Sequence, residues 1–285
     1  TPIASSAASD VYKRQDVVDI SFSPENVLTL DQLAKEKNVT AVVDAGVAPG
    51  IPNFLLGYWN SKMKINSFDY CVGGLPKNPS PPYNYKAPFS PIDVIEEYTR
   101  PARMRINSQV VTKPALSDLE IFNFSEVGKL EAFNTDGLRS LLQTMSHIPN
   151  MKEKTLRYPG HAKLIQSMID DGLFNNKNFN KTINILFKDW KLKEDEPEFT
   201  ILDINIYSDS KNIHYHLYDE TDDISKSSSM ARTTGFTATA TINMLLNNLW
   251  SKKGVFPPEL VGENERCIDF LLSYLSARNV TMSQN

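Results

Sequence analysis

Two β-branched runs open the readable part of the chain. Asp16–Phe22 (DVVDISF) and Thr40–Asp44 (TAVVD) are short and apolar-rich, which predicts two strands. Between them Leu28, Leu30, Leu33 and Ala34 fall close to helical spacing, ahead of charged residues and Asn38. Strand, short helix and strand in so short a span is an α/β signature. The second run gives way to a turn-rich stretch, Ala45–Pro52, and a helix is expected from Asn53. Phe54, Leu55, Leu56, Tyr58 and Trp59 would cover much of its surface, which predicts burial between two layers.

Alternation takes over next. Phe68, Tyr70 and Val72 predict a half-buried strand, and the proline-rich stretch from Lys77 to Pro88 an extended loop. Ser90-Pro91 supplies a capping oxygen and a first-turn proline ahead of Ile92, Val94, Ile95 and Tyr98, marking a helix start. Met104–Ile106 and Gln109–Val111 flank Asn107-Ser108, a hairpin signal. Lys154–Tyr158 reads as extended, and His161–Asp171 as a helix stopped by Gly172. Phe199–Tyr207 and Ile213–Tyr218 predict a second hairpin, preceded by the charge run Lys191–Glu198. Arg232–Trp250 and Glu265–Ala277 predict a helical tail, and no internal repeat is present.

The 285 residues carry 30 Lys and Arg against 34 Asp and Glu, a net charge of −4. That balance argues against a broad nucleic-acid surface. No apolar run is long enough for a membrane helix. Cys71 and Cys267 form no C-x-x-C pair, which points to a reducing, cytoplasmic setting. Thr1–Gln15 is small and polar and is set aside as a non-native leader, its run Ser5–Gln15 resembling a translated sequencing-library adapter; with no initiator Met, the true N-terminus is expected upstream.

The chain contains no G-x-x-x-x-G-K-[ST], H-E-x-x-H, G-x-S-x-G or G-x-G-x-x-G. His214 and His216 share a strand face and could ligate a metal, but a solvent-facing pair opposite Ile213, Tyr215 and Leu217 is the plainer reading, and no metal is expected. Four clusters could carry a site. Asp44 sits at the carboxyl end of a strand, where crevices of open α/β sheets form; a capping carboxylate is the alternative. Cys71 precedes Val72-Gly73-Gly74, a strand-ending turn whose bare backbone could approach a ligand, although a lone Cys is more often a small buried hydrophobe. Thr155, Arg157, Tyr158 and His161 crowd a strand-to-helix turn, where Arg157 could hold a carboxylate or an internal salt bridge. Arg139 could do the same work or lie on a helix surface.

Taken in order, these segments resemble the saccharopine dehydrogenase-like family. Val42–Gly50 (VVDAGVAPG), Val72–Pro76 (VGGLP), Tyr85–Ser90 (YKAPFS), Glu97–Ala102 (EYTRPA), Gly128–Phe133 (GKLEAF) and Thr155–His161 (TLRYPGH) are the blocks that carry it, and Tyr98–Pro101 with Arg157–His161 draw it toward the lysine 6-dehydrogenase-like branch. The resemblance implies an NAD(P)-dependent oxidoreductase acting on a carbon–nitrogen bond of an amino acid, by hydride transfer through an imine. It implies catalytic positions at Asp44 and Cys71. Substrate would be held by Arg157, Tyr158, His161, Arg139, Gly73 and Gly74, and cofactor marginally by Gly46 and Pro49. Cys71 departs from the saccharopine-forming pattern, where Cys directly precedes Gly-Gly-Leu-Pro; here Val72 intervenes, and one residue turns a strand side chain to the other face.

The implied fold is α/β. Residues 16–58 would be the C-terminal remnant of a Rossmann domain, 59–230 an α+β substrate and dimerisation domain with a mixed sheet, and 231–285 helices packing back on the Rossmann part. Because the G-x-G-x-x-G loop is absent, roughly 100 upstream residues are expected to be missing. These residues alone are expected to bind NAD(P) weakly and to be inactive, with the helix at Phe54–Trp59 uncovered and prone to aggregate. A homodimer with a small amino-acid substrate is expected. The competing reading is a cofactor-free binding or dimerisation domain that keeps the same fold.

Overall fold

The computed structural model describes residues 15–21, 25–193 and 196–285. All but the last residue of the expected leader, Phe22 of the first expected strand, and residues 194–195 of the charge run lie outside them. The chain begins with β1 (Val17–Val18), a 3-10 turn (Val27–Leu30), α1 (Asp31–Lys37), β2 (Thr40–Val42) and α2 (Ile51–Asn60). Next come β3 (Ser67–Pro76), α3 (Pro91–Thr99), β4 (Ala102–Ile106), β5 (Gln109–Lys113), β6 (Glu120–Phe124), β7 (Gly128–Asn134) and α4 (Leu141–Thr144). β8 (Asn150–Arg157), α5 (His161–Asp170), α6 (Phe179–Asp189), β9 (Glu198–Tyr207) and β10 (Asn212–Glu220) follow. The chain ends with α7 (Ser229–Leu246), β11 (Gly254–Phe256), α8 (Pro258–Gly262), α9 (Glu265–Ser276) and β12 (Met282–Gln284).

Local chemistry sets several of these boundaries. Asn38 takes a left-handed conformation and closes α1, and Gly172 does the same after α5. Asn107 and Ser108 both have positive φ, the geometry of a two-residue hairpin whose twist matches its strands. Pro91 opens α3 as expected, but the Ser90 side chain makes no backbone cap.

The strands form a small and a large sheet. In the small one β1 and β11 flank β2, all parallel, so a strand from the end of the chain completes the sheet begun at its start. The large sheet runs β12-β10-β9-β3-β8-β4-β5, with β7 joining β6 to β8. It is mixed, since β3 and β8 are parallel while β9 pairs antiparallel with β3. Gly73 and Gly74 lie inside β3, paired with Ile201 and Thr200, instead of in the expected strand-ending turn. Their missing side chains make room for protein: a Cβ on Gly73 would come 2.9 Å from Leu156, and one on Gly74 2.5 Å from Met230.

Period-2 alternation divides the core. Phe68, Tyr70, Leu202, Ile204, Ile206, Tyr215 and Leu217 face α2, α7 and α9 on one side of the large sheet. Cys71, Leu75, Leu130, Leu156, Phe199 and Ile201 face a second core under α3, α5 and α6.

The expected uncovered helix is in fact covered. In α2, residues Ile51 to Leu56 are buried, and α8 lies across it. The two backbones touch where both carry glycine: a Cβ on Gly57 would sit 1.9 Å from the Glu259 carbonyl oxygen, and one on Gly262 2.1 Å from that of Phe54. The buried Glu259 carboxylate then accepts from Asn53 Nδ2 at 3.0 Å and Thr144 Oγ1 at 2.5 Å, tying α2, α4 and α8 together.

Candidate functional site

Where the small sheet meets the large one, a cleft of about 450 Å³ opens. The loops after β1 and β2 supply Ile20, Ser21 and Gly46 through Pro49. From the large sheet come Val72–Gly74 of β3 with Thr155 and Arg157 of β8. Helix α3 contributes Asp93 and Glu97, and α7 contributes Met230, Thr234 and Gly235. This is the crevice beyond strand ends where open α/β folds bind ligands. Arg157, Gly73, Gly74, Gly46 and Pro49, selected from the sequence, all lie on it.

Arg157 is the centre of its polar wall. The guanidinium, 2% exposed, stacks over Tyr85 at 4.4 Å and donates from Nη2 to Glu97 Oε2 at 3.1 Å, from Nη1 to the Leu156 carbonyl and from Nε to Tyr98 Oη, both at 2.9 Å. The internal salt bridge, one of its two readings, is therefore present, and it faces the cleft. Burial pushes the Glu97 carboxyl up to about 7, with Arg157 offsetting only part of the desolvation.

Behind Arg157 runs a fixed chain of donors. Tyr98 Oη is 2.9 Å from His161 Nε2, and His161 Nδ1 is 2.8 Å from the Tyr83 carbonyl. That carbonyl can only accept, so Nδ1 carries the proton and Nε2 accepts from Tyr98. Burial, and then the Arg157 charge, hold His161 neutral by lowering it to about 3. His161 thus orients Tyr98 and does not line the cleft. Tyr158 also turns away, donating to the Pro76 carbonyl at 2.9 Å.

Asp44 and Arg139 come together, but elsewhere. Arg139 Nε is 3.0 Å from both Asp44 carboxylate oxygens, and both residues line a second cleft of about 360 Å³ with Arg103 and Asp136. Burial raises Asp44 above its usual range although Arg139 opposes it. Cys71 faces the second core, 6% exposed, with its thiol pushed well up by burial. The cleft wall is formed by its neighbour Val72, as the extra residue before Gly73-Gly74 implies. His214 and His216 are partly buried and share Asp203 Oδ1 at 2.7 and 3.1 Å.

Three site residues escaped the sequence reading as functional positions: Glu97, Tyr98 and Tyr85. All stand inside segments that carried the family resemblance. Nothing local marks them, because β8 brings Arg157 to them from far along the chain.

Whether the residues present suit a dinucleotide can be judged from the cleft itself. Bare backbone at Gly46 and Gly235, with apolar Ile20, Val47 and Met230, suits a flat ring; a Cβ on Gly235 would meet nothing within 4 Å. The Gly46–Gly50 turn leads into α2 and borders this cleft through Gly46–Pro49, but it lacks the G-x-G-x-x-G spacing that holds a pyrophosphate.

The saccharopine dehydrogenase C-terminal domain pattern matches residues 46–280. The rat mitochondrial alpha-aminoadipic semialdehyde synthase is 24% identical over 191 residues, 62% of this chain and 20% of that protein; its mouse counterpart is 23% identical over 186 residues, 61% and 20%. The chain therefore spans about a fifth of the length of these relatives. Among solved structures, the apo saccharopine dehydrogenase (L-Glu forming) of Saccharomyces cerevisiae superposes with a TM-score of 0.74 at 15% identity, over 99% of this chain and 82% of that one. The two share a fold. No helix among the described residues is long and apolar enough to cross a membrane.

Proposed function

The chain belongs to the saccharopine dehydrogenase C-terminal domain family, and on that premise we propose that it forms the substrate side of an NAD(P)-dependent oxidoreductase acting on a carbon–nitrogen bond of an amino acid through an imine. The observation that carries this reading is the Arg157–Glu97 pair on the wall of the inter-sheet cleft. An amino-acid substrate brings a carboxylate that needs a cation and a nitrogen that must lose and regain protons. Arg157 supplies the first need and Glu97, poised near neutrality, the second.

The two roles are linked. When Glu97 takes a proton its hold on Arg157 weakens, and the guanidinium offers its charge to a ligand carboxylate in the same cleft. Tyr98, held by His161, and Tyr85, stacked on the guanidinium, fix the plane of that fork. Ile20, Val47 and Met230 give the cleft an apolar side, beside which a bound ligand's polar contacts are strengthened. Gly46, Gly235 and these apolar side chains would hold the nicotinamide end of NAD(P), which when bound supplies the acceptor or donor of hydride. With no G-x-G-x-x-G among the 285 residues, the dinucleotide is held weakly by them alone.

Calorimetric titration with saccharopine, with lysine and with a diamine lacking a carboxylate tests the reading. Saccharopine or lysine is expected to bind, the diamine to bind at least about tenfold more weakly, and Arg157→Lys to abolish the difference. Failure of both amino acids to bind would leave a binding or assembly domain and end the amino-acid reading. A micromolar Kd for NAD or NADP would overturn the expectation of weak cofactor binding.

A further inference from the structure

Glu153, Thr155 and Arg157 alternate along β8, so their side chains share one strand face. Thr155 and Arg157 line the inter-sheet cleft, while Glu153 lies deeper, 4% exposed. Hydroxyl groups bridge the distance. Thr135 Oγ1 is 2.8 Å from both Glu153 carboxyl oxygens and 2.8 Å from Thr155 Oγ1. The Gly137 amide donates to Glu153 Oε2 at 2.9 Å. A Cβ at position 137 would fall 2.6 Å from the Glu153 carboxyl carbon, so glycine is what lets this amide reach the acid.

Thr135 has one proton to give and oxygens on two sides, so the direction of the chain follows the state of Glu153. With Glu153 ionised, Thr155 donates to Thr135 and Thr135 to the carboxylate. With Glu153 protonated, the acid donates to Thr135, Thr135 to Thr155, and the Thr155 hydrogen turns to the cleft. We propose that Glu153 is a proton reservoir for the cleft, filled and emptied through the hydroxyls of Thr135 and Thr155.

On filling, an N–H bond of a ligand ammonium breaks and its proton passes to Thr155 Oγ1. The Thr155 hydroxyl proton moves to Thr135 and the Thr135 proton to the Glu153 carboxylate. Each hydroxyl ends neutral, one carboxyl O–H bond has formed and no electrons are transferred. The surroundings suit such a store. Burial raises the Glu153 carboxyl to about 8 against the hydrogen bonds of Thr135 and Gly137; Glu97 on α3 and Asp136 after β7 add like charge, and the Tyr70 phenol on β3 lies close by.

Use of the reservoir rests on the amino-acid reading of the cleft, but its test needs no ligand. A pH jump on the full chain, followed by time-resolved infrared spectroscopy, reads the protonated carboxyl band of Glu153. Glu153→Gln is expected to remove that band. Thr155→Val is expected to slow its appearance by about a hundredfold, the lower end of what a positioned proton-transfer group contributes. The equilibrium midpoint should hold, because Thr155 does not touch the carboxyl group, and Thr155→Ser should restore the rate. A band that survives Glu153→Gln, a rate unchanged in Thr155→Val, a midpoint that moves with the rate, or a serine that fails to rescue would each overturn the proposal. A failed saccharopine titration alongside a normal proton jump would count against the substrate reading alone.

Discussion

Arg157 Nη2 sits 3.1 Å from Glu97 Oε2, joining the end of β8 to the last turn of α3 across the wall of the inter-sheet cleft. Arg157 is buried and Glu97 partly so, and that desolvation pushes Glu97 up to about 7 even with a guanidinium beside it. Near neutrality the protein therefore holds a mixture of ionised and protonated Glu97, and Arg157 has a partner that can let go.

That competition fixes how ligand affinity should depend on pH. Above about 7 Glu97 is ionised and competes with a ligand carboxylate for Arg157; below it the competition fades. Saccharopine affinity should fall as pH rises through that value, and Glu97→Gln should flatten the profile. Calorimetry at several pH values checks this, and a wild-type profile as flat as the variant's would contradict it.

The contact of α2 with α8 gives a stability prediction independent of function. A Cβ at Gly57 would meet the Glu259 backbone at 1.9 Å, and backbone cannot move aside as a flexible side chain can. Gly57→Ala should cost about 2–3 kcal/mol, the upper range for overpacking a tight core. Alanine at Gly128, where an added Cβ meets nothing but φ is positive, should cost only about 1 kcal/mol. Urea denaturation of the two variants distinguishes them.

Much of this fold is legible in the sequence where a local rule acts. Asn107-Ser108, Pro91 and Gly172 are such signals, and the alternation of Phe199–Tyr207 with Ile213–Tyr218 gives its hairpin directly. The hairpin of β6 and β7 was missed because Ile121 is exposed and its strand does not separate apolar from polar faces. Helix α6 was missed because Ile185 and Phe187 stand exposed beside buried Ile183 and Leu186, blurring the helical stripe. β11 has three residues and exists because β2 awaits it from far back in the chain. The site follows the same logic: counting back by two from Arg157 reaches Thr155 and Glu153, but a strand begun at Lys154 leaves Glu153 out.

Asp44 and Arg139 form a buried pair, 4% and 9% exposed at their side chains. Removing the carboxylate takes a buried ionic partner from the Arg139 guanidinium, so Asp44→Asn should destabilise the protein by about 1–3 kcal/mol. Thermal and urea unfolding measure it. A neutral result would mean that the pair is not structural and would return Asp44 to consideration as a group held for ligand chemistry.

Thiol reactivity should be low at both cysteines. Cys71 is pushed well up by burial, and Cys267 to about 11 by the same cause. Thiolate is the reacting form, so iodoacetamide at mildly alkaline pH should label neither in the folded protein and both after denaturation. Mass spectrometry of the intact chain reads the count. Rapid labelling of native Cys71 would show that its side of β3 opens to solvent.

Two buried groups of opposite sense should shape stability against pH. His161 is lowered from 6.5 to about 3, so between those values the unfolded chain binds more protons and stability rises with pH. Glu153 is raised from 4.5 to about 8, so across that window the folded chain holds more protons and stability falls as pH rises. The two oppose each other up to about 6.5, and above it the Glu153 contribution acts without that opposition. Glu153→Gln removes only the falling part. The difference in thermal midpoint between variant and wild type should therefore move in the variant's favour as pH climbs from about 4.5 to about 8, then level off. A difference independent of pH would mean that Glu153 keeps its ordinary carboxylate behaviour inside the fold, and the hydroxyl chain above it would then have no buried proton to carry.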